Sequence, residues 1–312
     1  MQQITTSHFE YVQFMAKFAK DINTVEEFNM RHAIFAQVDL EISAHNSMPA
    51  NYTLGHNQFS DWTREEYGNL LGLRHAHNED HPVVVFDESN AADEVNWVTN
   101  GGVSPVKDQG QCGSCWSFST TGAMEGAHFI ATGELLSFSE QQLVDCASTL
   151  NMGCNGGNPL WAYKYLKKHD AELESAYPYV SGTTKTAGTC AYDESSATSV
   201  KVQSSASVTQ SDQNQMKAAL AQQPLAVLVE ADTRTFQNYS SGVLDSTACG
   251  TSLDHAVLAV GYGTDSDSGL DYWLVKNSWN TTWGDNGFIK LARVDGDGIC
   301  GVQMGPSFPT SN

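Results

Sequence analysis

Apolar positions follow a helical period through the first half of the chain and a strand-like pattern through the last third. Val25, Phe28, Phe35, Val38 and Ile42 recur at helical spacing behind Thr24 and Glu27, which form a capping-box pair, and predict a helix from Thr24 to about Asn46. At about 100° per residue, Glu27, Arg31, Phe35, Val38, Ile42 and Asn46 share one arc of roughly 100°. Thr63 and Glu66 open a second, short helix ending near Gly72. After Cys115, the apolar set Trp116, Phe118, Met124, Ala127 and Ile130 marks another helix, although Gly122 and Gly126 weaken it. Ser139 and Gln142 read as a further cap, and residues 160–168 carry Trp161, Tyr165 and Leu166 at helical spacing. Residues 195–215, rich in Ser, Gln and Thr, read as polar loop and strand edges. From Leu225 onward strand signals dominate: residues 225–229, residues 257–260 ending at Gly261 to Gly263, and residues 272–279 as the next strand of a hairpin. The expected class is α+β, a helical lobe beside a β-rich lobe, and such junctions favour a cleft. The longest apolar runs, residues 83–86, 225–229 and 256–260, are too short to span a bilayer.

The candidate chemistry begins with Q-G-Q-C-G-S-C-W over residues 109–116. Cys115 lies where a Gly-rich turn meets a helix N-terminus, and the dipole and free N–H groups there favour a thiolate near neutral pH. Taken alone, C-x-x-C also fits a redox pair of Cys112 and Cys115, or half of a zinc site. A nucleophilic thiol needs a base, and the base needs an orienting group. His255 stands at the mouth of a strand, and Asn277 at the end of the next can accept a hydrogen bond from its imidazole. Trp279 is placed to shield that bond from water.

Gln109, Cys115, His255, Asn277 and Trp279, with C-N-G-G at 154–157, D-H-A at 254–256 and K-N-S-W at 276–279, resemble the papain-like cysteine proteases in order and spacing. The similarity runs from about Val95 to about Pro309. It implies the papain-like two-lobe fold, with Cys115 as nucleophile, His255 as general acid/base and Asn277 as orienter. Gln109 and the Cys115 N–H would form the oxyanion hole. Substrate would be held by Gly156, Gly157, Asn158, Pro159, Leu228, Leu253, Asp254, Trp279 and Gly305. The pocket for the residue before the scissile one would be lined by Asn158, Pro159, Leu228, Leu253 and Gly305, none acidic, which implies an apolar or aromatic P2 preference. No extra Cys/His-bearing insertion follows Cys112, so endopeptidase is expected. Seven cysteines leave one thiol free in a disulfide-bonded chain. The resemblance implies Cys112–Cys154, Cys146–Cys190 and Cys249–Cys300, with Cys115 free, which disfavours the alternative of a thiol-disulfide oxidoreductase. A transpeptidase or ligase on the same thiol stays open. A non-catalytic binding member would be expected to have lost Cys115, His255 or Asn277, and all three are present. One departure is Asn280, where the family usually has Gly.

The first ninety residues resemble the propeptides of cathepsin L-like enzymes. The helix of Glu27, Arg31, Phe35, Ile42 and Asn46 fits E-x3-R-x3-F-x2-N-x3-I-x3-N, with Val38 in place of Asn. Residues 55–61 fit G-x-N-x-F-x-D without departure. Residues 1–90 are therefore expected to be an inhibitory propeptide and 91–312 the peptidase. Residues 74–89 would cross the cleft in the non-productive direction, with maturation between about Phe86 and Glu94. The linker from Asn78 to Ala92 is acidic, contains Pro82 and suits cleavage.

The formal charge is −20, with 5 basic against 13 acidic residues in the first ninety. A nucleic-acid partner is thereby excluded as an expectation, since phosphate contacts need Lys and Arg. The expected partners are protein and peptide substrates and the chain's own propeptide, on a monomer without cofactor or metal. Seven of ten histidines fall in the first ninety residues, including His75, His77 and His81 in the presumed linker. Acid could therefore loosen the propeptide, because His changes charge between about pH 5 and 8. Three disulfides imply an oxidising compartment: a lysosome, an acidic vacuole or secretion. The N-terminus lacks a signal-peptide pattern, and reads as trimmed with Met1 added for expression. Asn51, Asn238 and Asn280 lie in glycosylation acceptor patterns.

Overall fold

A computed structural model describes residues 6–75 and 81–312; Met1 and His77 lie outside the described residues. The chain opens with a helix that the sequence reading did not anticipate, α1 (Thr6–Lys17), which buries Tyr11 and Phe14. Their rings pack against Phe35 at 5.2 and 4.9 Å on α2 (Val25–Asn46), so α1 exists by aromatic packing rather than by a strong apolar period. Thr24 caps α2 through the Glu27 N–H, but the Glu27 carboxylate turns to Arg31 at 2.9 Å. That box is only half made. Arg31 reaches on to Glu66 at 2.8 Å, tying α2 to α3 (Arg64–Gly68), whose Thr63/Glu66 box is complete. Between them β1 (Tyr52–Leu54) pairs antiparallel with β6 (Tyr239–Leu244). α3 stops four residues short of the expected Gly72, because the chain there extends across the molecule.

Two short strands, β2 (Val83–Val84) and β3 (Val95–Asn96), precede the helical lobe. Its central helix, α4 (Cys115–Thr132), ends at Gly133 in a left-handed conformation. Gly122 and Gly126, weak for a helix, are explained by packing: a Cβ would lie 2.8 Å from the Leu258 side chain at one and 2.6 Å from Pro224 at the other. They let the helix approach the β-rich lobe. α5 (Glu140–Cys146), α6 (Pro159–Leu166) and the single turn α7 (Ser181–Thr184) complete the helical lobe. Ser139 caps α5 through the Gln142 N–H, but the Gln142 side chain bonds elsewhere.

Residues 195–215 hold more order than their polar composition suggests. They contain β4 (Val202–Val208) and the Asp212-capped start of α8 (Gln213–Leu220). The β-rich lobe follows with β5 (Leu225–Val229), α9 (Arg234–Gln237), β7 (His255–Thr264), β8 (Asp271–Lys276), β9 (Phe288–Ala292) and β10 (Ser307–Ser311). Gly261 and Gly263 lie inside β7, not at its end, since Gly261 must pass close to Val95 of β3. The sheet order is β1-β6-β9-β8-β7-β5-β10-β4-β2, with β3 on β7. One core lies in the helical lobe around Trp116, Met124 and Tyr163. The other joins the β-rich lobe to the N-terminal region, placing Val38, Phe59, Tyr67 and Leu70 with Phe236, Trp279 and Trp283. Disulfides join Cys112 to Cys154, Cys146 to Cys190 and Cys249 to Cys300. Among the described residues no helix is long and apolar enough to cross a membrane. Of the acceptor asparagines, Asn51 and Asn280 are exposed, whereas Asn238 is fully buried and leaves no room for a glycan in the folded chain.

Candidate active site

Cys115 is the first residue of α4 and the only free thiol among the described cysteines. The Cys112–Cys154 disulfide and the bond from Gly113 N–H to the Cys154 carbonyl (3.0 Å) fix the turn before it. His255 opens β7, where its backbone is locked opposite Val229. Its Nε2 lies 2.9 Å from Asn277 Oδ1, so Nε2 carries the proton and donates, leaving Nδ1 free of any hydrogen-bond partner. Trp279 stacks on the imidazole at 4.6 Å and closes that side to water. Gln109 is wholly buried. Its Oε1 accepts from Ser278 Oγ at 2.7 Å and Trp279 Nε1 at 3.1 Å. Its Nε2 is thereby turned outward, and donates to the Leu70 and Cys112 carbonyls, each at 2.9 Å.

The N-terminal region lies directly on this site. Leu73 pairs in parallel with Gly157. Gly157 N–H donates to the Gly72 carbonyl and Arg74 N–H to the Gly157 carbonyl, both at 2.8 Å, while Leu73 N–H donates to the Asp254 carbonyl at 3.0 Å. A Cβ on Gly72 would overlap the Gly113 carbonyl, so only glycine passes the turn that precedes Cys115. The crossing therefore begins by Leu70, earlier than the expected residues 74–89, and Val83 and Val84 instead pair with β4. Sequence alone could not fix this register, because nothing in the apolar pattern marks which extended segment meets the turn.

Covering the site changes its electrostatics. Burial pushes the Cys115 thiol up to about 11, against the opposing N–H groups of Ala256, Gly72 and Trp116. Burial also pushes His255 down to about 4, although its bond to Asn277 favours the charged form. Thiol and imidazole are both neutral here, unlike the ready thiolate expected from the helix terminus. The N-terminal segment over the site removes the solvent that would stabilise the ion pair.

Beside the turn, a cavity of about 110 Å³ is lined by Asn158, Pro159, Leu228, Leu253 and Gly305, together with Leu160, Ser207, Gln210, Met304 and Ser307, and His75 stands at its edge. No acidic or basic side chain from residues 91–312 lines it. Asn158 caps α6 by accepting from Leu160 N–H at 3.0 Å, and its Nδ2 donates to the Arg74 carbonyl at 2.7 Å. Gly156 holds a positive φ of 104° next to Gly157. The Asp254 carboxylate accepts N–H bonds from Ala231 (2.7 Å) and Asp232 (3.2 Å), yet burial, and then the Asp232 charge, raise it to about 7. Asn280 adopts φ +63°, its N–H on the Lys107 carbonyl at 3.1 Å. Asn is among the few residues besides Gly that tolerate this region, so the loop keeps its shape despite the departure. Two groups were missed by sequence reasoning. Ser278, whose hydroxyl orients Gln109, sits inside the K-N-S-W string and could have been found there. Tyr179, whose OH donates to the Gln109 carbonyl at 2.8 Å, carried no signal.

A two-lobed fold with Cys115 on one lobe and a His–Asn pair on the other, crossed by a preceding segment, defines a papain-like cysteine protease in proenzyme form. Residues 91–310 match the papain family of cysteine proteases, Peptidase_C1, and residues 11–67 match the cathepsin propeptide inhibitor domain, I29. The chain belongs to the papain family. It is 41% identical over 311 residues to digestive cysteine proteinase 1 of Homarus americanus, covering 96% of this chain and 93% of that one. It is 42% identical over 292 residues to the probable cysteine protease RD21B of Arabidopsis thaliana, covering 91% of this chain but only 61% of that relative's length. The solved structure of digestive procathepsin L 3 from Tenebrio molitor larval midgut superposes with a TM-score of 0.88 at 36% identity, covering 98% of this chain and all of that one. The redox alternative fails, since Cys112 is already paired with Cys154. Nothing in these similarities supports a transpeptidase or ligase.

Proposed function

We propose that the chain is the zymogen of a cysteine endopeptidase in which residues 1–90 inhibit and residues 91–312 hydrolyse peptide bonds. The observation that carries this reading is the Leu70 carbonyl on Gln109 Nε2, at 2.9 Å. A backbone carbonyl occupies the place where a substrate's scissile carbonyl would develop negative charge. The chain then runs on toward the pocket at Leu228 and Leu253, whereas a substrate would enter from that pocket, so the segment is reversed and is not cut.

Once the segment leaves, water returns and His255 Nδ1 takes the Cys115 proton. The thiolate attacks the carbonyl carbon, and the oxyanion accepts hydrogen bonds from Gln109 Nε2 and the Cys115 N–H. Collapse breaks the C–N bond as His255 protonates the leaving amine. Water, deprotonated by His255, then attacks the thioester, and the acid departs with the thiol restored. Asn277 keeps the imidazole in one tautomer throughout. The uncharged pocket favours an apolar or aromatic P2 residue.

Acid is the proposed trigger. Burial opposes it, but the hydrogen bonds from Arg31 hold Glu66 below the usual carboxylate range. A depressed carboxyl stabilises the fold above its unfolded value, and that stabilisation is lost as pH falls through the folded value. The α2–α3 tie therefore weakens below roughly pH 4.5. An acidic, oxidising compartment fits both this and the disulfides. The test is alkylation of the unreduced chain with iodoacetamide. No label before acidification and one label, on Cys115, after it supports the reading. Labels on both Cys112 and Cys115 would overturn it.

A further inference from the structure

Outside the cleft, the chain leading to the peptidase region is held at two places. Val83 and Val84 pair in parallel with Ser207 and Val208, and Ser207 N–H donates to the Pro82 carbonyl at 2.9 Å. Just beyond, the carboxamide of Gln215, a residue only 5% exposed on α8, takes both backbone groups of Phe86. Phe86 N–H donates to Oε1 at 2.8 Å, and Nε2 donates to the Phe86 carbonyl at 3.0 Å. The same Nε2 donates to the Glu88 carboxylate at 2.6 Å. The Phe86 ring meets Phe308 edge-on at 5.5 Å. A side chain that engages the N–H and C=O of one residue imitates a neighbouring strand at a single point.

Further along, Tyr262 OH donates to the Ala92 carbonyl at 2.9 Å, and β3 then joins the sheet. Between these holds lies a single 3-10 turn, Glu88–Asn90, tied to Gln215 through the Glu88 carboxylate and otherwise closed by local bonds. Asp87 Oδ1 accepts from the Ser89 N–H and hydroxyl, and Ala91 N–H reaches back to Glu88 at 3.4 Å. Ser89 is exposed.

Resting on the zymogen reading above, we infer that Gln215 is a latch on the propeptide's exit strand and that the maturation cut falls between Glu88 and Ala92. The cut is a hydrolysis: water adds across one C–N bond, leaving a carboxylate on the released fragment and a new N-terminal amine on the mature chain. A protease cleft binds substrate extended over more residues than this turn contains. The turn must therefore be drawn out, and Gln215 must release Phe86 and Glu88 first. When opening is fast relative to cleavage, the cutting rate tracks the population of the open form. Loss of the latch's hydrogen bonds should raise that population roughly tenfold or more.

The experiment uses the full chain carrying Cys115→Ser, which cannot cut itself, with a trace of acid-activated wild-type protein added at one fixed pH. N-terminal sequencing of the product is expected to begin at residue 89, 90, 91 or 92. Gln215→Leu should speed the cut about tenfold or more and add cuts within residues 82–88. Gln215→Glu, which keeps the side chain's size but cannot donate to the Phe86 carbonyl or to Glu88, should do the same and decides the matter if Gln215→Leu folds poorly. A parental cut outside residues 88–92, or parental rate and sites in Gln215→Glu, overturns the inference. If the trace enzyme hydrolyses a small fluorogenic peptide but cuts the chain elsewhere, the latch alone fails. If it hydrolyses neither, the peptidase reading fails.

Discussion

Replacing Gly72 with alanine should leave the zymogen unable to stay silent at neutral pH. The added Cβ meets the Gly113 carbonyl, part of the turn that the Cys112–Cys154 disulfide fixes, so the propeptide strand must lift rather than the turn yield. Lifting puts at risk the bonds on either side: Gly157 N–H to Gly72, Leu73 N–H to Asp254, Arg74 N–H to Gly157 and Gln109 Nε2 to Leu70. Two to four such bonds at a net ~1 kcal/mol each amount to about 2–4 kcal/mol. At 1.4 kcal/mol per tenfold, self-inhibition weakens by roughly 30-fold to 1,000-fold. The assay is hydrolysis of a fluorogenic peptide at pH 7 by freshly purified uncut chain, with Gly72→Ala carried also in a Cys115→Ser background as the blank. A Gly72→Ala chain as inactive as the parent, at equal folding, would refute the reasoning.

Leu228→Glu should place a carboxylate in the pocket and raise hydrolysis of Arg-P2 over Phe-P2 peptides at least tenfold; an unchanged P2 profile would mean the pocket lies elsewhere. Asn280→Gly should leave activity within about twofold, whereas Asn280→Val, β-branched at φ +63°, should cost about 1–3 kcal/mol in thermal unfolding. Burial, and then the His8 ring stacked on it at 4.1 Å, lower the pKa of His32. Its stabilising effect is complete above the unfolded value near 6.5 and is lost as pH falls toward the folded value. A His8→Gln, His32→Gln chain should accordingly process with its half-point at lower pH, and an unmoved half-point would remove this pair from the trigger.

The chemistry was more legible in the sequence than the way it is kept off. Cys115, His255 and Asn277 sit at helix and strand ends, where short strings specify both the side chain and its mounting, and the structure brings them to one place. Gly122 and Gly126 argued against α4 by propensity, yet serve it by admitting Leu258 and Pro224. What failed was long-range: α1 depends on stacking across to Phe35, and the strand over the cleft depends on Gly72 fitting the Gly113 turn. The ionisation of Cys115 failed for the same reason. A helix terminus favours the thiolate locally, but the strand at Gly72, about forty residues earlier in the chain, is what buries it, and no local pattern reports that burial.

The most direct measurement is hydrolysis of a fluorogenic peptide with Phe at P2, in reductant, before and after a shift to about pH 4–5, where carboxylates and His protonate. Activity that appears with loss of the N-terminal region, and is absent when Cys115→Ser is processed in trans, is the predicted result. Clean removal of that region with no activity, or activity surviving Cys115→Ser, would contradict the account.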